Sequence, residues 1–171
     1  MIKTDAINAG TNETATRQVF ITRTLDAPRE LVFKAWSTKE HLENWYAPNG
    51  CTIKIFKLDF RVGGIFLHRI ETPDGFTCTC KGVFVEIDKP GRIVYSLAFS
   101  DENGNLIDSS QAGNHDDWPN ETTVTVTFEE INGRTMVHLH QTVSEALAKQ
   151  TGAYPSWLEM FDRLSTELAK Y

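Results

Sequence analysis

Cysteine is scarce in this chain, and so are the marks of an exported or membrane protein. Three cysteines in 171 residues are an odd number and too few for a disulfide frame, so the expectation is reduced thiols in a cytoplasmic setting. No apolar run approaches the roughly 18 residues of a membrane span, and the opening stretch MIKTDAINAGTNETAT lacks the apolar centre of a signal peptide. Basic residues are outnumbered: 17 Lys and Arg against 23 Asp and Glu give a net charge of −6. The positive charges are also scattered, which excludes a nucleic-acid face or a binder of anionic membranes. Missing too are a nucleophile elbow, a phosphate-cradling glycine loop, an HExxH helix and a zinc-type Cys/His spacing. Without a secretory route, the Asn-Glu-Thr tripeptides at Asn12 and Asn120 match the glycosylation pattern by chance.

What remains is 40% hydrophobic and 23% charged, the composition of an ordinary globule. A chain of this size buries about 70% of its unfolded surface. Residues 1–16 show no periodicity and are expected to form a mobile tail, leaving 17–171 as one domain. RQVFITRTL alternates Val19 and Ile21 against Phe20 and Thr22, a first strand. In DAPRELVFKAWST, Pro28 suits a first helical turn, and Leu31, Val32, Ala35 and Trp36 recur at helical spacing. Ser37 or Thr38 is placed to cap a second short helix, KEHLENWY, which Pro48, Asn49 and Gly50 stop. Strands are expected at 51–60, 64–71, 76–88, 91–99, 121–131 and 134–143, punctuated by glycine and proline. Asn132-Gly133 is the clearest hairpin signal, because that pair takes the positive φ angles of a type I′ turn. Residues 101–120 read as a long polar loop. Trp157, Leu158, Phe161, Leu164 and Leu168 mark one amphipathic helix in PSWLEMFDRLSTELAKY. The order β-αα-β6-α is α+β: a curved antiparallel sheet with one long helix to cover it, an arrangement that often encloses a pocket.

Several groups invite a chemical reading. His138 and His140 stand two apart on one strand, as do Cys78 and Cys80, so each pair shares a face. Val137 and Leu139 claim the core face of the first strand, which puts both histidines outside beside a threonine ladder, with no third ligand for zinc. No metal is expected. The cysteines read as small buried hydrophobes, too far apart for a good same-strand disulfide. Along that strand the apolar side switches, and a bulge or bend near Gly82 would explain it. His68 sits with Phe66 and Ile70 and reads either as a hydrogen-bonded core histidine or as a group that orients a ligand. Asp59 and Arg61 read as an ion pair or turn contact, and HDDW at 115–118 as a solvated loop. DENGN lacks the glycine and glutamate of a calcium loop. Trp36, Trp45, Phe66, Tyr95, Trp157, Met160 and Phe161 are expected to meet between sheet and helices. With His68 they are the candidate cavity lining; no catalytic residue is assigned and no cofactor is expected.

Four segments carry a resemblance. LDAPRELVFKAWSTKEHLENWYAPNGCT resembles the opening of the activator-of-heat-shock-protein-90-ATPase homologue family. LDFRVGGIFLHRI, GVFVEIDKPGRIVYS and SWLEMFDRLSTEL resemble its later segments, in order, from about residue 17 to 170. The departures are Tyr46, Ala47 and Ser156, where the family often has Trp, Gly and Gly. The resemblance implies the START-like, or SRPBCC, superfamily and its helix-grip fold, as in birch-pollen-allergen-like proteins. It also implies a cavity between the sheet and the C-terminal helix for a small hydrophobic or amphipathic molecule. A co-chaperone-like or stress-related protein-binding role, with a chaperone as partner, is one alternative, although this chain has no room for the extra N-terminal domain of two-domain activators. A cavity enzyme of the polyketide-cyclase type is the other, and it needs His68 to project into the pocket.

Overall fold

The computed structural model describes residues 17–171; the expected tail at 1–16 lies outside the described residues. In chain order the elements are β1 (Gln18–Leu25), α1 (Arg29–Ser37), α2 (Lys39–Trp45), β2 (Thr52–Leu58), β3 (Ile65–Glu71) and β4 (Thr77–Asp88). They continue with β5 (Arg92–Phe99), β6 (Glu121–Ile131), β7 (Arg134–Ser144), α3 (Glu145–Thr151) and α4 (Ala153–Leu168). The seven strands form one antiparallel sheet in the order β1-β7-β6-β5-β4-β3-β2, curved around α4. The first strand therefore pairs with the last, and the remaining neighbours are consecutive hairpins.

Alternation sets the faces. Val19, Ile21 and Leu25 on β1, Val124, Val126 and Phe128 on β6, and Val137, Leu139 and Val143 on β7 are all buried. The β6–β7 turn is the expected one, with Asn132 at φ 52° and Gly133 at φ 79°, and Ile131 opposite Arg134. Between β2 and β3 a glycine is obligatory: a Cβ on Gly64 would lie 1.9 Å from the Asp59 carbonyl oxygen.

Pro28 stands at the N-cap of α1, and its carbonyl accepts from the N–H groups of Leu31 and Val32. Val32, Phe33, Ala35 and Trp36 turn inward from there. Thr38 occupies the N-cap of α2 but does not cap it; its hydroxyl donates back to the Lys34 carbonyl at 2.9 Å. Trp45 is fixed instead by its indole N–H, which donates to the Ala35 carbonyl at 2.9 Å.

Two further expectations need correction. The stretch after β7 holds two helices rather than one. The Ser144 hydroxyl accepts from the Leu147 N–H to start α3, and Gly152, at φ 89°, ends it and redirects the chain into α4. Pro155 then falls in the first turn of α4, where its missing N–H costs nothing. The switch of apolar side on β4 comes at Val85 rather than Gly82: Phe84 faces Tyr95 and Glu86 faces Val94, which leaves Val85 as the extra residue, 57% exposed. Gly82 serves a different end, since a Cβ there would meet the Phe66 Cβ at 3.4 Å and the Ser96 carbonyl oxygen at 3.1 Å.

Sheet, α1, α2 and α4 meet around Trp36. Its ring lies 4.7 Å from that of Trp45, 6.1 Å from Phe128, 6.3 Å from Phe161 and 6.4 Å from Trp157. Arg163 closes the same region from α4, donating to the carbonyls of Ala47 (2.6 Å), Pro48 (3.1 Å), Cys51 (3.2 Å) and Asn44 (3.2 Å). These contacts tie α4 to the segment that links α2 to β2.

Candidate functional site

Beside this aromatic core the sheet and the start of α4 leave a cavity of about 400 Å3. Inner-face residues of β3 and β4 form its floor: His68 and Ile70 on one strand, Cys78 and Cys80 on the other. They lie side by side because His68 is opposite Cys80 and Ile70 is opposite Cys78. Trp157 and Met160 of α4 form the roof, and Tyr46 stands at the inner end. The 101–120 loop supplies Asn114, Trp118 and Asn120, and Phe76, 49% exposed, lies at the rim. Among the described residues no Lys, Arg, Asp or Glu stands in the wall.

His68 is the polar centre of the floor. It is 2% exposed, its ring stacks on Phe66 at 4.2 Å, and the Tyr46 ring meets it edge-on at 5.3 Å. Burial pushes the imidazole down to about 4, with the Phe66 backbone acting weakly the other way, so the ring is neutral at physiological pH. Its Nδ1 has no hydrogen-bond partner among the described residues. The Tyr46 and Tyr95 hydroxyls are 2.9 Å apart. Burial, foremost, holds both phenols well above their ordinary range, and neither ionises.

A second polar chain runs from the roof to β7 and β6. The Trp157 indole N–H donates to Gln141 Oε1 at 2.9 Å, and Gln141 Nε2 donates to the Thr122 hydroxyl at 3.0 Å. Gln141 and Thr122 were passed over in the sequence, although the signal was present. Gln141 shares the face of Val137 and Leu139, and Thr122 that of Val124 and Val126, so each is a polar residue on a core face. Trp118 carried a fainter signal, as a lone aromatic in a polar loop.

Of the eight residues expected at a cavity wall, His68, Trp157 and Met160 stand there. Trp36, Trp45, Phe66, Tyr95 and Phe161 are buried in the adjoining core and do not line this cavity. Cys78 and Cys80, read as core, line it instead. The outward histidines lie on the far side of the sheet: His138 Nδ1 is 2.9 Å from the Thr22 hydroxyl, and His140 Nε2 is 2.7 Å from Gln18 Oε1. Arg61 Nε donates to Asp59 Oδ2 at 2.8 Å, a turn contact away from the cavity.

Residues 26–169 match the family described as Activator of Hsp90 ATPase homolog 1-like protein. No curated protein matches the chain significantly. Among solved structures, a protein from Arthrobacter aurescens is similar at 22% identity and a TM-score of 0.76, covering 89% of this chain and 86% of its own. A Staphylococcus epidermidis protein gives 24% and 0.73, with 90% of each chain covered. The AHSA1 protein of Silicibacter pomeroyi gives 15% and 0.69, covering 90% of this chain and 99% of its own. At these identities the likeness is one of fold. No helix among the described residues is long and apolar enough to cross a membrane.

Proposed function

The chain belongs to the activator of Hsp90 ATPase homolog 1-like family, within the START-like class, and from that premise we propose that it binds an uncharged, mainly apolar small molecule between sheet and α4. The observation that carries this reading is a 400 Å3 cavity with no charged side chain in its wall and a buried, neutral histidine in its floor. An apolar wall with few convergent polar groups is the usual form of a small-molecule site. A charged ligand would forfeit its hydration with no countercharge to replace it. His68, neutral and in the floor, is the polar group against which such a ligand would be oriented.

Binding is favoured over chemistry in the cavity. A general acid or base works best with a pKa near the working pH. His68 at about 4 is a weak base, and both phenols are held too high to act as acids near neutrality.

The test is native mass spectrometry of the freshly purified protein for a copurified ligand, with titration by the neutral dye Nile red. A saturable single site is expected, and Ala153→Trp, which projects bulk from α4 into the cavity, should abolish it while the fold survives. Dye binding undiminished in that variant would refute the proposal.

A further inference from the structure

Cys78 and Cys80 stand next to each other on the floor of the cavity. Both thiols are free, both line the cavity, and their sulfurs lie 4.0 Å apart. We propose that they form a two-thiol capture site for an uncharged trivalent organoarsenic compound, whose organic substituent occupies the apolar cavity. This rests on the cavity reading and names a ligand class for the same site.

The alternatives for such a pair fail on geometry or charge. A same-strand disulfide needs sulfurs about 2.04 Å apart, and residues two apart on a strand hold their Cα atoms near the outer limit of about 6.8 Å. A four-coordinate zinc ion needs further ligands, and no three of His, Cys, Asp and Glu are grouped to hold a metal among the described residues. A monovalent soft metal held by two thiolates leaves a net negative charge, in a wall that offers no cation.

Trivalent arsenic avoids all three difficulties. The hydrated compound carries two hydroxyl groups on arsenic and one organic group. Two As–S bonds form and two As–O bonds break, the thiol protons leave with the hydroxyls as two waters, and neither arsenic nor sulfur changes oxidation state. The product is neutral. Two bonds of the usual soft-metal–thiolate length, about 2.3 Å, bridge a 4 Å gap as a bent link. The thiols are also unlike one another: their mutual contact lowers the Cys78 thiol against burial, while the same contact and burial raise Cys80.

The test uses the full chain, phenylarsine oxide and native mass spectrometry, with Nile red binding followed alongside. One adduct per chain is expected, stable to excess mercaptoethanol and reversed by dimercaptopropanol, with the dye displaced. Because the second bond is intramolecular, Cys78→Ser and Cys80→Ser should each weaken capture by about a hundredfold or more, and Cys51→Ser should leave it unchanged. Retained dye binding certifies the fold of each variant, and Cys→Ala at the same positions replaces any serine variant that does not fold. No adduct on the native chain, or one of full strength in either single variant, overturns the two-thiol site. Dye binding without an adduct overturns this inference and leaves the cavity reading standing. An adduct on a chain that never binds the dye overturns the cavity reading instead.

Discussion

His68 stays neutral because its surroundings supply two aromatic rings and no countercharge. Its pKa falls from 6.5 in the open chain to about 4 in the fold. Between those values the unfolded chain takes up a proton that the folded one refuses, so stability falls as pH drops from 6.5 to 4. Below 4 both states carry the proton and the effect is complete. At 1.36 kcal/mol per pH unit the loss is about 3 kcal/mol. Urea unfolding across that window should show wild type losing this much more than His68→Gln. At Gly64 the constraint is steric: the Asp59 carbonyl is backbone and cannot rotate away. Gly64→Ala should cost about 1–3 kcal/mol or more, read as a lower urea midpoint at unchanged slope. The sequence told these residues apart unevenly. His68 announced itself as a polar residue between Phe66 and Ile70. Cys78 and Cys80 did not, because a cysteine in a core and a cysteine at a cavity wall leave the same alternation.

Among the elements, α4 carries the connection between the two halves of the site. Its apolar face packs on Trp36, while Arg163 holds the Asn44 carbonyl of α2 and three carbonyls of the α2–β2 segment, and Trp157 holds Gln141. Arg163→Met keeps the stem and strands those carbonyls, so a loss of about 2–3 kcal/mol is expected. The loss should appear in thermal unfolding, with Tyr46 and the inner end of the cavity loosened first, as faster amide exchange across 44–51. The strands were legible because their alternation and turn residues agree, and so was α4 from its apolar spacing. α3 was not. Of its residues EALAKQT only Ala148 is buried, so no apolar stripe marks it, and it forms on the strength of the Ser144 cap and the Gly152 stop. The bulge in β4 was expected but misplaced, because glycine in a strand signals either a bend or a close neighbour, and Gly82 has the close neighbour.

For the whole molecule, one sheet wraps one aromatic core, so we expect 17–171 to unfold as a single unit. Near-UV and far-UV circular dichroism should trace one coincident transition. Trp36→Ala, which removes the ring at the junction of four elements, should lower stability by about 3–5 kcal/mol. The fold class was legible from element order alone, since strands in succession with one strongly amphipathic helix leave few arrangements. The cavity's extent was not: it depends on how the 101–120 loop brings Asn114, Trp118 and Asn120 to the wall, and no period records that.

The pairing of β1 with β7 also sets a timetable. Thr22 meets His138, 116 positions later in the chain, so during synthesis the first strand waits for almost the entire sequence before it has a partner. Until then it is an exposed edge carrying Val19, Ile21 and Leu25, the kind of surface that seeks other chains. The sheet is therefore expected to close only after β7 has been made. Nascent chains released before residue 134 should be protease-sensitive throughout, and those extended through 168 should be protected.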